Sequence, residues 1–170
     1  MFYKSVFYNY LRPNMVYESV YDIDYELLRE DGIKHLFFDI DNTLISYKEN
    51  GVSLQCLNLF NSLSTMGFEN IILISNNSSS ERVEKVAKQL KLPAISFACK
   101  PFVFTMRRIV NDYNVSVNES VLVGDQLLTD VLLANTMGMS SIFVDPIERD
   151  GVSFFRLTQY RLQDKFLATF

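Results

Sequence analysis

The chain predicts an α/β fold, a doubly wound parallel sheet of about five strands with helices on both faces. Three observations lead there. Short apolar runs alternate with segments of helical period at a spacing typical of βαβ units. Gly and Pro punctuate the units at Gly32, Gly67, Pro93 and Gly138. Charged and hydroxyl residues then stand directly after the apolar runs, at Asp39, Ser75, Lys100 and Asp125.

The first 31 residues read as an N-terminal extension rich in aromatics, in which Phe7, Tyr8 and Leu11 share a helical face and Pro13-Asn14 breaks the segment. Asp24-Tyr-Glu-Leu-Leu-Arg-Glu reads as a short helix that Gly32 ends. The first strand is expected over residues 33–40, and a polar loop over 46–51 leads to a helix over 53–66. Residues 71–74 form a second strand, followed by a Ser/Asn loop and a helix carrying Val83, Val86 and Leu90. A short third strand over 94–97 leads to Pro101, suited to the first turn of a helix that runs to about residue 113. A fourth strand (120–123), a helix (127–137) and a fifth strand (141–144) complete the pattern. Right-handed crossovers put every strand end on one edge, so the four residues after the strands should converge.

Bulk properties narrow the function. With 170 residues the chain is expected to be one domain, 1–170, able to bury its own core. A net charge of −4 argues against general nucleic-acid binding, which depends on a basic surface. Cys56 and Cys99 lack the paired spacing of zinc or redox motifs. No apolar run approaches the roughly 18 residues of a spanning helix, and the N-terminus has no uninterrupted signal-peptide core. A cytoplasmic protein is expected, peripheral to the inner face of the membrane if it touches one.

The stretch Phe37-Phe38-Asp39-Ile40-Asp41-Asn42-Thr43-Leu44 carries the chemistry. Alternate residues of an extended strand share a face, so Asp39 and Asp41 enter one crevice and repel unless a cation or divided protonation separates them. A surface turn is the plain alternative. Asp39 and Asp125 form a hard-cation site. Mg²⁺ is favoured because it accepts few protein ligands and keeps waters and phosphate oxygens. Asp130 faces the same ion or is solvated on its helix. Ser75, with the backbone of Asn76 and Asn77, offers donors to an anion or simply caps a helix. Lys100 suits a phosphate gaining charge. Asn42 and Thr43 fix the loop after the pair, and His35 is structural.

Asp39-x-Asp41-x-Thr43, Ser75, Lys100 and Gly124-Asp125-x4-Asp130 together resemble the haloacid dehalogenase superfamily of phosphotransferases. More narrowly, Ser75-Asn76-Asn77, Lys100-Pro101 and Gly124-Asp125-Gln126-Leu127-Leu128-Thr129-Asp130-Val131 look like the YqeG-type branch of the subclass IIIA phosphatases, whose relatives include phosphatidylglycerophosphate phosphatases. The resemblance implies a Rossmann-like fold. It makes Asp39 the nucleophile that becomes an aspartyl-phosphate, and Asp41 the acid that protonates the leaving oxygen and later activates water. It assigns Mg²⁺ to Asp39, the Asp41 backbone carbonyl and Asp125, supported by Asp130, and the phosphoryl oxygens to Ser75, Asn76 and Lys100. The 31 residues between Thr43 and Ser75 and the 24 between Ser75 and Lys100 leave no room for a cap domain (C0 type). An open site admits a large or membrane-embedded phosphate.

The expected substrate is therefore phosphatidylglycerophosphate, with a soluble sugar phosphate, nucleotide or phosphoprotein as the alternative and a non-catalytic interaction module as a different class. A phosphate-receiver module fits less well, having no use for the Asp-x-Asp-x-Thr run. Residues 151–170 read as an amphipathic helix, with Phe155, Leu162, Phe166 and Phe170 interleaved with Arg156, Arg161 and Lys165. It either rests on an anionic bilayer or covers the sheet or a partner.

Overall fold

The computed structural model describes residues 8–150 and 154–169, with the side chains of residues 154 and 155 left aside. The expectations for Phe7, Phe155 and Phe170 lie outside what is described.

Six strands form one fully parallel sheet: β1 (Met15–Tyr17), β2 (His35–Phe38), β3 (Asn70–Ile74), β4 (Ala94–Ile95), β5 (Ser120–Gly124) and β6 (Ser140–Val144), in the order β1-β6-β5-β2-β3-β4. The expected count of about five misses β1. Its three residues follow Pro13-Asn14 and pair only with β6, in the register Met15↔Ile142, too short to show a period. The strand expected over 94–97 keeps only two residues in the ladder, because the backbone at Phe97 enters the left-handed region (φ 52°).

Helices α1 (Tyr25–Glu30), α2 (Leu54–Leu63) and α3 (Ser80–Leu90) cover one face, and α4 (Val103–Asp112), α5 (Leu132–Met137) and α6 (Phe154–Leu167) the other. Strand alternation divides the core accordingly. Leu36, Phe38, Leu73, Val121 and Val123 pack with Phe60 and Val86, while Phe37, Ile72 and Leu122 pack with Met106 and Ile109. Side-chain caps start α1, α2 and α3: Asp24, Ser53 and Ser79 accept from Leu27, Cys56 and Arg82 backbone N–H groups. Ser79, not Ser75, is thus the cap of α3.

Two helix expectations change. Pro101 lies before α4, whose N-cap is Phe102, and its peptide bond to Lys100 is cis. The helix expected over 127–137 divides into a π-helical turn (Leu127–Val131) and α5. That wider turn closes when Asp130 and Val131 N–H groups both donate to the Gln126 carbonyl, at 2.9 and 3.3 Å.

Candidate active site

The central strands deliver the acidic residues. Phe38 of β2 pairs with Val123 of β5 and Leu73 of β3, and the Asp39 N–H still donates to the Val123 carbonyl at 2.9 Å. Asp39, Ser75 and Asp125 therefore leave one sheet edge together, as their spacing predicts. Asp39, Asp125 and Asp130 are buried, and each offers a carboxylate oxygen within 4.8 Å of the other two.

Lys100, buried as well, places its Nζ 2.5 Å from Asp39 Oδ1 and 2.6 Å from Asp130 Oδ1. One ammonium does not balance three carboxylates. Burial pushes Asp39 up to about 7 against the pull of Lys100, with Asp130 and Asp41 adding repulsion. Burial, then Asp39 and Asp130, raises Asp125 well above its ordinary value. Burial alone would lower Lys100, yet Asp130 and Asp39 outweigh it and hold the ammonium charged. An all-oxygen donor set this crowded fits a hard divalent cation, which relieves the repulsion that Lys100 leaves.

Asp130 reaches the cluster from the π-helical turn by passing over Gly124. A Cβ at position 124 would lie 2.4 Å from Asp130 Cγ and 2.6 Å from its Cβ, so only glycine admits the approach. The Asp130 carboxylate also accepts from the Gln126 N–H at 3.1 Å. Thr43 Oγ1 sits 3.3 Å from Asp39 Oδ2 and 3.4 Å from Asp125 Oδ1, tying the two carboxylates to the loop.

Asp41 shares the pocket but has separate partners. Arg82 Nε donates to its Oδ1 at 2.9 Å, Asn77 Nδ2 to its Oδ2 at 2.8 Å, and Ser75 Oγ lies 3.4 Å away. Arg82 also donates to the carbonyls of Glu49 and Ser46, fastening the loop after β2. The Asn76 side chain brackets the Lys100 backbone, donating to its carbonyl at 2.9 Å and accepting from its N–H at 2.7 Å. His35 stands at the opposite end of β2, its Nδ1 3.0 Å from Asn70 Nδ2.

Asp39, Asp41, Ser75, Asn76 and Lys100 line a cavity of about 260 Å³ that also includes Tyr47, Gln126, Thr129 and Arg156. Arg82, Tyr47, Arg156, Tyr160 and Gln163 are the site residues the sequence did not reveal. Tyr160 is fully buried; its hydroxyl lies 3.2 Å from Asp125 Oδ2 and accepts from Asn42 Nδ2 at 2.8 Å. Gln163 Oε1 accepts from the Leu127 N–H at 2.8 Å, and its Nε2 donates to the Asp125 carbonyl at 3.1 Å. Asn42, in the left-handed region (φ 68°), additionally clasps Glu148, donating to its carbonyl at 2.7 Å and accepting from its N–H at 3.0 Å. Thus α6 covers the sheet edge beside the carboxylates, with Phe166 and Leu167 on Phe143 and only Leu162 turned well outward among its apolar side chains described. Spacings of 35 to 118 residues between these partners leave no local signal.

A family model described as mitochondrial PGP phosphatase matches residues 4–152. Among curated relatives, a probable phosphatase YqeG of Bacillus subtilis is 30% identical over 135 residues, covering 79% of this chain and 77% of that protein. A chloroplastic phosphatidylglycerophosphate phosphatase 1 of Chlamydomonas reinhardtii is 22% identical, with 92% of this chain spanning 61% of that longer protein. A solved structure of an uncharacterized protein from Listeria monocytogenes superposes with a TM-score of 0.57 at 14% identity, covering 71% of this chain and 85% of that one. The cobalt-bound deoxy-D-mannose-octulosonate 8-phosphate phosphatase of Haemophilus influenzae gives 0.53 at 14% identity, over 70% of each chain. These superpositions show a shared fold.

Proposed function

The chain belongs to the PGP phosphatase family, and from that premise we propose that it is a Mg²⁺-dependent phosphatase that converts phosphatidylglycerophosphate to phosphatidylglycerol through an aspartyl-phosphate. It is a phosphoric monoester hydrolase on a Rossmann-like haloacid dehalogenase fold without a cap. The observation that carries the mechanism is the division of two neighbouring carboxylates. Asp39 is buried against Lys100, and Asp41 is held apart by Arg82 and Asn77.

In the first half-reaction an Asp39 oxygen attacks phosphorus while the Asp41 carboxyl gives its proton to the departing alcohol oxygen. In the second, Asp41 takes a proton from water, which displaces the phosphoryl group from Asp39 and frees inorganic phosphate. Ser75 and Lys100 hold phosphoryl oxygens, Lys100 supplying positive charge where negative charge accumulates. Asn76 fixes the Lys100 backbone, so its side chain acts by positioning. Asp39, Asp125, Asp130 and the Asp41 carbonyl would hold Mg²⁺, which when bound neutralises the cluster and polarises a phosphoryl oxygen.

The surroundings of Lys100 favour a lipid over a soluble ester. Phe97, Phe102 and Phe104 are 55%, 67% and 60% exposed on the segment that carries it, and the Phe102 and Phe104 rings lie 6.4 Å apart. Arg107, also exposed, adds positive charge on the same helix as Phe104, while Arg108 pairs with Asp112 at 3.4 Å. Such a rim suits the headgroup region of an anionic bilayer. Release of phosphate from phosphatidylglycerophosphate in vesicles should exceed release from soluble phosphomonoesters at matched concentration. A preference of about tenfold for a soluble compound, some 1.4 kcal/mol, would remove the lipid assignment.

A further inference from the structure

The cavity contains a feature that cleaving a phosphomonoester does not use. Among the residues lining it, the Arg156 guanidinium lies over the Tyr47 ring, 4.3 Å from its centroid. The Tyr47 hydroxyl is buried and has no hydrogen-bond partner among the described residues. A buried hydroxyl without a partner costs stability, and the position beside a stacked guanidinium gives it a reason to be there. Arg82 and Lys100, the other two cations of the site, hold Asp41 and the Asp39–Asp130 pair. Arg156 is a further cation lining the cavity, and it comes from α6, beyond the residues that the family model matches.

We infer that Arg156 and Tyr47 form a second anion subsite, which binds a phosphodiester carried on the same substrate as the phosphomonoester that Asp39 attacks. The guanidinium presents planar donors to two oxygens of one anion, and the phenol adds a third. Stacking on the ring holds the guanidinium in place, so less rotamer entropy is lost when the anion arrives. The subsite selects substrates with two phosphates separated by a short polyol, and it discriminates against simple phosphomonoesters. It rests on the phosphatase reading of this pocket and deepens it.

Two water-soluble compounds test the subsite: glycerophosphoglycerophosphate, which bears a monoester and a diester, and glycerol 3-phosphate, which bears the monoester alone. Wild type should favour the first in kcat/KM. Arg156→Gln should cut that preference by roughly 10- to 100-fold and Tyr47→Phe, which keeps the ring beneath the guanidinium, by about tenfold, the losses appearing mainly in KM. Arg156→Lys should restore only part of the preference, because it keeps the charge and loses the fork. An unchanged preference in Arg156→Gln, whether both activities persist or both fall together, overturns the subsite.

Binding of glycerophosphoglycerol, the diester without a monoester, is followed by NMR titration of wild type and Arg156→Gln. Wild type should bind it, and the variant should bind at least about tenfold more weakly. If wild type hydrolyses neither phosphomonoester yet binds the diester through Arg156, the phosphatase reading falls and the subsite stands. If turnover is normal and the diester binds both proteins alike, the subsite falls and the phosphatase reading stands.

Discussion

The two walls of the site, the strand-end carboxylate cluster and the Tyr47–Arg156 pair, are built by different means. Asp39, Asp125 and Asp130 leave adjacent strands and one π-helical turn, so the sheet ladder itself sets their positions. Tyr47 and Arg156 come from the loop after β2 and from α6, joined to the fold by long-range side-chain bonds through Asn42, Tyr160 and Gln163. The first wall is buried and carries three carboxylates against one ammonium. On the second, Arg156 is half-buried and cationic. The carboxylate cluster therefore travels with the backbone architecture, whereas the pair Tyr47 and Arg156 depends on the loop after β2 and on α6.

The largest expected effect belongs to the strand-end wall. Asp39→Asn should lower kcat by more than about 1,000-fold, since an amide cannot form the phosphoenzyme. The fold should survive. The substitution removes a buried charge crowded by Asp130 and Asp41, and Lys100 keeps Asp130 as a partner. Circular dichroism should be unchanged and the metal-free melting temperature equal or higher. Activity within about tenfold of wild type would transfer the chemistry away from this wall.

Gly124→Ala ranks next and asks whether the same wall tolerates any movement. The added methyl meets Asp130 Cγ and Cβ, neither of which is the free end of a flexible chain. Overpacking of this kind costs about 1–3 kcal/mol. Displacing Asp130 by about 1 Å should also reduce turnover by roughly 100-fold, checked by steady-state kinetics beside a denaturant titration. Normal activity would mean that the π-helical turn can shift without consequence for the cluster.

The walls also differ in how far the sequence announces them. Asp39, Ser75 and Asp125 follow apolar runs whose parallel pairing is nearly forced by their spacing, so convergence at one edge follows from chain geometry. Lys100 is less direct, because a two-residue strand and left-handed residues at Phe97 and Cys99 intervene before it turns inward. Asn42 and Thr43 were legible as loop-fixing residues because they adjoin the acidic pair. Tyr160 and Gln163 sit on a helix whose pattern fits covering the sheet as well as lying on a bilayer. Only the three-dimensional placement of α6 decides which of its side chains meet Asp125. Likewise, β1 has too few residues to show a period, and an edge pairing with β6 supplies what its sequence does not.

Tyr160→Phe should have the smallest effect and sharpens the boundary between the walls, since its hydroxyl is where α6 touches a carboxylate of the first. Loss of the hydroxyl removes the donor on Asp125 Oδ2 and leaves Asn42 its bond to the Glu148 carbonyl. The cost in stability should be about 1–2 kcal/mol, because a buried hydrogen bond to a carboxylate is lost while the ring still packs. The informative readout is the Mg²⁺ dependence of activity. Partners behind a metal ligand typically contribute roughly 10- to 100-fold in affinity, so half-saturation should move about tenfold upward, with kcat recovered at high Mg²⁺. Loss that added Mg²⁺ does not restore would place α6 in the chemistry itself, and an unchanged titration would reduce it to a cover. Recovery at high Mg²⁺ would show instead that α6 orients Asp125 from behind, through Tyr160.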